Sequence, residues 1–170
     1  FPRRRVDDFV VMAHDLGLGA GASVFDVEAI GIAMDAGADF LKLATREQNN
    51  ASLALAIVGA MPLPLLRSVD WLRAIAGKPY STGGQPYISI DGPDVVTLAC
   101  IPQYPTPSMP WHAGRLREVL SGPYGWSSHT IGWDDCLAAV RNGACVIEKH
   151  LCMDSSDPEG EWSLTPELFK

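Results

Sequence analysis

No stretch of eighteen consecutive apolar residues occurs in the sequence, so no membrane-spanning helix is expected. No secretory leader opens it either: Phe1-Pro-Arg-Arg-Arg5 runs straight into Val6-Asp-Asp. No two cysteines stand in CxxC spacing. Cys100, Cys136, Cys145 and Cys152 are therefore expected to be free, reduced thiols of a cytoplasmic protein rather than disulfide partners. Charge is scarce, at 19% of residues, and lopsided, with a net charge of −7. That balance argues against nucleic acid as a partner, yet leaves room for a small anionic substrate in a locally positive pocket. Low-complexity segments are absent. Residue 1 is not Met, and the chain stops at Leu168-Phe-Lys170 in what reads as the first turn of a helix. The sequence is expected to be a piece of a longer protein.

What is present is a dense apolar pattern. Hydrophobic residues make up 47% of 170 residues, enough for one domain with a buried α/β interior. Val6, Phe9, Val10, Ala13 and Leu16 recur at helical spacing, and Gly17 ends that run. Strand patterns follow at 18–25, 38–44, 63–68 and 94–101. Helical patterns fall at 26–36, where Asp26 is the expected cap, and at 51–61, 69–76 and 114–120. Segment 77–93, with four Gly and three Pro, reads as a long loop, and 102–110, with four Pro, as a second. Six strands alternating with helices imply a parallel sheet covered by helices.

The densest chemistry lies near the end. Gly125-Trp-Ser-Ser-His-Thr-Ile-Gly132 and Gly143-Ala-Cys-Val-Ile-Glu-Lys-His150 each read as a strand ending on a histidine, with a helix over 133–142 between them. Parallel neighbours put their carboxyl ends on one rim, so His129 and His150 should face one pocket. Two imidazoles there either hold a divalent metal or hydrogen-bond to loops. Side-chain alternation puts Ser127 with His129, Glu148 with His150, and Lys42 with Phe40 and Ala44, each set on one face at a strand's carboxyl end.

These segments resemble the N-acetylneuraminate (sialic acid) synthases. Ala22-Ser-Val-Phe-Asp26, Phe40-Leu-Lys-Leu-Ala44, Tyr104-Pro-Thr-Pro107 and Glu161-Trp-Ser-Leu-Thr-Pro166 fit the same family in the same order. The resemblance implies an α/β fold, a (β/α)8 TIM barrel. Residues 1–170 would be one partial barrel domain supplying the third to eighth strands. The first two strands and a C-terminal antifreeze-like domain would lie elsewhere. It also implies an enzyme that condenses phosphoenolpyruvate with an open-chain N-acetylhexosamine such as N-acetylmannosamine. The product is a nine-carbon 2-keto sugar acid, and phosphate is released. The cofactor would be a divalent metal, Mn2+ or Mg2+, and the full-length form a homodimer. Left as a fragment, the chain would expose two strand edges and is expected to be inactive and poorly soluble.

By the same resemblance, His129 and His150 are the metal ligands. Lys42 binds the phosphate or carboxylate of phosphoenolpyruvate; its alternatives are a Schiff-base lysine of a barrel aldolase, or a packed stem with its ammonium in water. Ser23, Thr45, Ser68 and Ser127 hydrogen-bond the same anion. Ser81 mimics the Ser68 motif at the wrong spacing. Tyr104 either reaches the sugar or packs under its Pro-rich loop. Glu148 supports the site electrostatically, and Glu161 stands where the family has an aspartate that touches the sugar or orients a metal-bound water. Three departures stand out: Pro102 in place of an asparagine, Val69-Asp70 in place of Thr-Gly, and Ser128 in place of an aspartate. Asp70 would set a negative charge near an anionic ligand, which Arg67 or Arg46 could offset. A degenerate barrel that only binds sugar or phosphate is the non-enzymatic alternative.

Overall fold

A computed structural model of the chain describes residues 3–60, 63–77, 90, 92–108 and 110–169. Ser81 and most of the 77–93 loop lie outside the described residues. The chain packs as two compact units, residues 1–68 with 81–96, and residues 69–80 with 97–170. Among the described residues, no helix is long and apolar enough to cross a membrane.

The first unit opens with α1 (Arg3–Asp15), followed by β1 (Gly21–Val24), α2 (Val27–Asp35), β2 (Phe40–Leu43), a 3-10 turn (Thr45–Glu47) and α3 (Ala51–Ala60). Gly17 and Gly37 follow α1 and α2 with φ of 71° and 84°, the left-handed conformation that ends a helix without a Cβ clash. Asp26 caps α2 as expected: its carboxylate accepts from Ala29 N at 2.7 Å. β1 and β2 are parallel, and β2 runs parallel to β3 (Leu65–Asp70). Leu65 N then donates to Asp94 O, which aligns the start of β4 (Val95–Cys100) with β3. Val24, Leu41, Leu43 and Leu65 pack with Ile30 and Ala33 of α2 and with Leu53, Ala54 and Ile57 of α3. Each fully buried Leu, Ile or Val there contributes about 1.5–3 kcal/mol. The opposite face carries the row Ser23, Lys42 and Leu66.

In the second unit come α4 (Trp71–Ile75), α5 (Pro110–Ala113), α6 (Leu116–Val119), β5 (Tyr124–Ser128), α7 (Asp134–Arg141) and β6 (Val146–Lys149). β4 pairs β5 and β5 pairs β6, all parallel. Trp71 and Trp126 meet edge to face at 6.1 Å, inside a core with Ala99, Leu116 and Ala139. Gly125 lets β5 and β6 approach. A Cβ there would fall far inside contact distance of Val146 O and 2.6 Å from Leu98 Cδ2.

The structure adjusts several sequence boundaries. Val69 and Asp70 extend β3 instead of starting a helix, because Asp70 is the cap of α4: its Oδ1 accepts from Arg73 N at 3.2 Å. The carboxylate read as a charge facing an anion is thus engaged with a helix end. The helix expected over 114–120 shortens to α6, and α5 precedes it, starting at Pro110, where a missing N–H costs nothing. β5 and β6 stop one residue short of the histidines, so His129 and His150 are the first residues past their strands.

Candidate metal centre

The register of β4, β5 and β6 sets Cys100, Ser127 and Glu148 in one row on one face. Ser127, 2% exposed, donates its hydroxyl to Glu148 Oε2 at 2.6 Å. Two residues further along each strand direction stand His129 and His150, with ring centres 5.3 Å apart and planes at 67°. The face expected from alternation is therefore the one observed.

Both rings are held at Nδ1. His129, 5% exposed, donates from Nδ1 to Ile101 O at 2.9 Å, and Cys100 Sγ lies 3.8 Å from the same nitrogen. His150 Nδ1 meets Glu159 Oε2 at 2.8 Å. A carbonyl and a carboxylate can only accept, so each Nδ1 carries the hydrogen and each neutral ring bears its lone pair on Nε2. An imidazole that ligates a metal commonly has its other ring nitrogen engaged in this way. The spacing also fits: ring centres 5.3 Å apart are close enough for one cation to be shared between the two rings. Among the described residues, no cluster of three or more His, Cys, Asp or Glu side chains forms a ready metal cage. The two imidazoles alone could supply side-chain nitrogens to a cation there.

Tyr104 covers this pair. Its ring centre is 4.1 Å from that of His129 and 5.9 Å from those of His150 and Trp162, and the residue is 52% exposed. The Pro-rich loop is anchored there because Thr106 N donates to His129 O at 2.8 Å, and Thr106 Oγ1 donates to Gln103 O at 2.7 Å. Past His150, the chain loops out and returns. Leu164 N donates to His150 O at 2.9 Å and Cys152 N to Leu164 O at 3.0 Å. Turns capped by Asp154 and Asp157 shape the excursion and present Glu159 to His150. Glu161, the carboxylate singled out from the sequence, is exposed; Glu159 is the one that reaches an imidazole.

The other face of β5 and β6 holds a buried polar hub. Asp135, 1% exposed at the start of α7, accepts from Trp126 Nε1 at 2.7 Å, Thr130 Oγ1 at 2.8 Å, Cys136 N at 2.9 Å and Ser128 Oγ at 3.2 Å. Lys149 Nζ donates to Ser128 Oγ at 3.1 Å and to Thr130 O. Burial lowers the Lys149 pKa, while the charges of Asp135 and Cys136 oppose that shift. Burial next to Asp135 pushes the Cys136 thiol up to about 11. The aspartate that the resemblance placed at 128 is absent, and a carboxylate reaches the Ser128 hydroxyl from α7 instead.

The remaining candidates belong to the first unit. Ser23 is exposed on β1; Lys42 is partly buried on β2 in the same row. Ser68 is buried near the end of β3, on the same face of that strand as Leu66. Its hydroxyl and that of Thr45 are buried without a hydrogen-bond partner among the described residues. Such orphaned hydroxyls fit an anion that accepts from them. Gln48, which the sequence gave no reason to notice, is buried beside them and donates its amide to Ser68 O.

A model of the NeuB family matches residues 1–170. N,N'-diacetyllegionaminic acid synthase of Legionella pneumophila is 29% identical over 165 residues, which cover 94% of this chain and 46% of that protein. The synthase of the same name from Campylobacter jejuni is 37% identical over 82 residues, 45% of this chain and 25% of that protein. Among solved structures, the N-acetylneuraminic acid (sialic acid) synthetase of Leptospira borgpetersenii superposes with a TM-score of 0.79 at 21% identity. That match covers 98% of this chain and 59% of that one. The DAHP synthase of Thermotoga maritima gives 0.70 at 14% identity over 98% of this chain and 52% of its own. These likenesses establish the fold class, a partial (β/α)8 barrel. The chain spans less than half the length of the curated relatives it matches.

Proposed function

The chain belongs to the NeuB family, and on that footing we propose that the whole protein condenses phosphoenolpyruvate with an N-acetylhexosamine of the N-acetylmannosamine type. The product is a nine-carbon 2-keto sugar acid, and phosphate is released. Relatives named for legionaminic and sialic acid synthesis support a sugar-acid product. In this reading Lys42 and the hydroxyls of Ser23, Thr45 and Ser68 bind the phosphate and carboxylate of phosphoenolpyruvate, while Ser127 donates its one hydroxyl hydrogen to Glu148 and so does not take the anion-binding role expected of it. His129 and His150 hold a divalent cation, Mn2+ or Mg2+, through Nε2. When bound, that cation polarises the sugar aldehyde. Carbon 3 of phosphoenolpyruvate bonds to the aldehyde carbon, water adds at carbon 2, and phosphate departs with cleavage of its C–O bond. Tyr104 offers its hydroxyl to the sugar. Glu148, fixed by Ser127, adds negative charge beside the cation site, and Glu161 contacts the sugar from the returning loop. The enzyme acts in the cytoplasm as a homodimer.

The observation that carries this reading is the imidazole pair, with each Nδ1 engaged and the ring centres 5.3 Å apart. The test is phosphate release by the full-length protein supplied with phosphoenolpyruvate, N-acetylmannosamine and Mn2+. We expect turnover that EDTA abolishes and that His129→Ala and His150→Ala each remove. Turnover that survives EDTA, or borohydride trapping of substrate on Lys42, would overturn it.

A further inference from the structure

Two charged residues that touch neither imidazole tie together the chain segments that carry them. Ser128 and Thr130 flank His129, and both hydroxyls end on Asp135 Oδ1, at 3.2 and 2.8 Å. Lys149 immediately precedes His150. Its ammonium reaches across to the His129 segment, donating to Ser128 Oγ at 3.1 Å and to Thr130 O. The Ser128 hydroxyl thus bridges the two charges, accepting from Lys149 and donating to Asp135. Trp126 Nε1, also bound to Asp135 at 2.7 Å, locks the carboxylate from the strand side. Each donor atom in this group meets at least one acceptor, and Asp135, Ser128 and Thr130 are nearly inaccessible to solvent. Fully satisfied buried networks of this kind fix one geometry, because any shift leaves a charge unpaired in a poorly solvating interior.

The network acts on register. β5 and β6 are already paired along their length, with Ser128 opposite Lys149. Past that row the strands end and the ladder no longer sets the spacing of the next residues. Those next residues are His129 and His150. A link from the Lys149 side chain to Thr130 O spans the stretch where the backbone ladder stops. It therefore constrains the separation of the two rings from behind.

We propose that Asp135 and Lys149 are positioning residues for the cation site, setting the distance between His129 and His150 through the backbone. This rests on the reading of those histidines as metal ligands. Mere stabilisation of the fold is the competing account, and the two differ in what they move. A positioning role changes cation affinity in the folded protein, whereas a purely structural one changes only the unfolding midpoint.

The experiment measures Mn2+ dissociation constants by electron paramagnetic resonance on the full-length protein, alongside thermal unfolding and near-ultraviolet circular dichroism. Lys149→Met should weaken Mn2+ binding by roughly tenfold to a hundredfold while the folded spectrum persists. Lys149→Arg, which keeps a donor and the charge, should recover most of the affinity. Asp135→Asn should fall between them. Ser128→Ala removes only the bridging hydroxyl; it covers the case in which Lys149→Met fails to fold, and should weaken binding severalfold. Leu116→Ala, a core change in the same unit, should lower the midpoint with Mn2+ affinity unchanged. If wild type binds Mn2+ through His129 and His150 while the folded Lys149, Asp135 and Ser128 variants bind it equally well, the positioning proposal falls alone. If His129→Ala and His150→Ala leave wild-type Mn2+ binding intact, the metal reading falls and takes this proposal with it.

Discussion

Glu159 accepts from His150 Nδ1 at 2.8 Å, although it comes from an irregular loop nine residues further along the chain. A carboxylate in that position fixes the ring's tautomer and raises the basicity of the opposite nitrogen. Glu159→Ala should therefore weaken Mn2+ binding by about tenfold or more. Glu161→Ala should leave Mn2+ affinity within about twofold and raise the KM for the sugar instead, since Glu161 is exposed. Calorimetric titration with Mn2+ on both variants checks the pair. Equal losses of affinity would contradict the assignment of Glu159.

Gly125 permits the close approach of β5 and β6. In Gly125→Ala, the new methyl would collide with Val146 O and stand 2.6 Å from Leu98 Cδ2. Backbone cannot rotate away as a side-chain tip can, so the strands must separate. A loss of roughly 1–3 kcal/mol or more is expected, the range of overpacked cores. A denaturation midpoint equal to that of wild type would refute the argument.

Thiol reactivity should divide unequally. Cys145 is exposed, whereas Cys100, Cys136 and Cys152 are buried, and the Cys136 thiol is held up at about 11 by burial and by Asp135. A thiolate is the reactive species, so buried and acid-poor thiols react slowly. Labelling with a chromogenic disulfide near pH 8, read by peptide mapping, should modify Cys145 fast in the native protein and Cys100, Cys136 and Cys152 only after unfolding. Fast labelling of any of those three would contradict the burial described.

Asp39 predicts an acid effect with a defined sign. Ala20 N donates to its carboxylate at 2.7 Å and His14 Nε2 lies 2.9 Å away; both lower its pKa from 3.8, the backbone bond most. A group whose pKa drops on folding stabilises the fold above its unfolded value and loses that contribution as pH falls through the folded value. The difference in melting temperature between wild type and Asp39→Asn should shrink as pH falls below about 4. A difference that grows on acidification would reverse the sign and sink this account.

The fold was legible wherever local chemistry decides the outcome. Asp26 followed by an apolar run announced a capped helix, and Gly17 announced a helix end. Alternation placed Ser127 with His129 and Glu148 with His150, because the period of a strand needs no tertiary information. Asp70 was misread because a strand end and a helix cap share the residue, and only the turn geometry separates them. The helix beginning at Pro110 had a signal, proline at a first helical position, hidden among three other prolines. Glu159 had none: in the irregular loop 152–164 no periodicity tells which carboxylate turns back to His150. Asp135 reads in sequence as a routine acidic residue at a helix start. Its partners Trp126, Ser128, Thr130 and Lys149 arrive from two other segments, so the hub exists only once the chain has folded.

Trp162 lies with its ring centre 6.4 Å from that of His150 and 5.9 Å from that of Tyr104. A paramagnetic ion seated on the imidazoles would drain the excited state of that indole, while a diamagnetic one of the same charge would leave it bright. With a cation held as proposed, that indole would be an optical gauge that tells Mn2+ from Mg2+ without any added label.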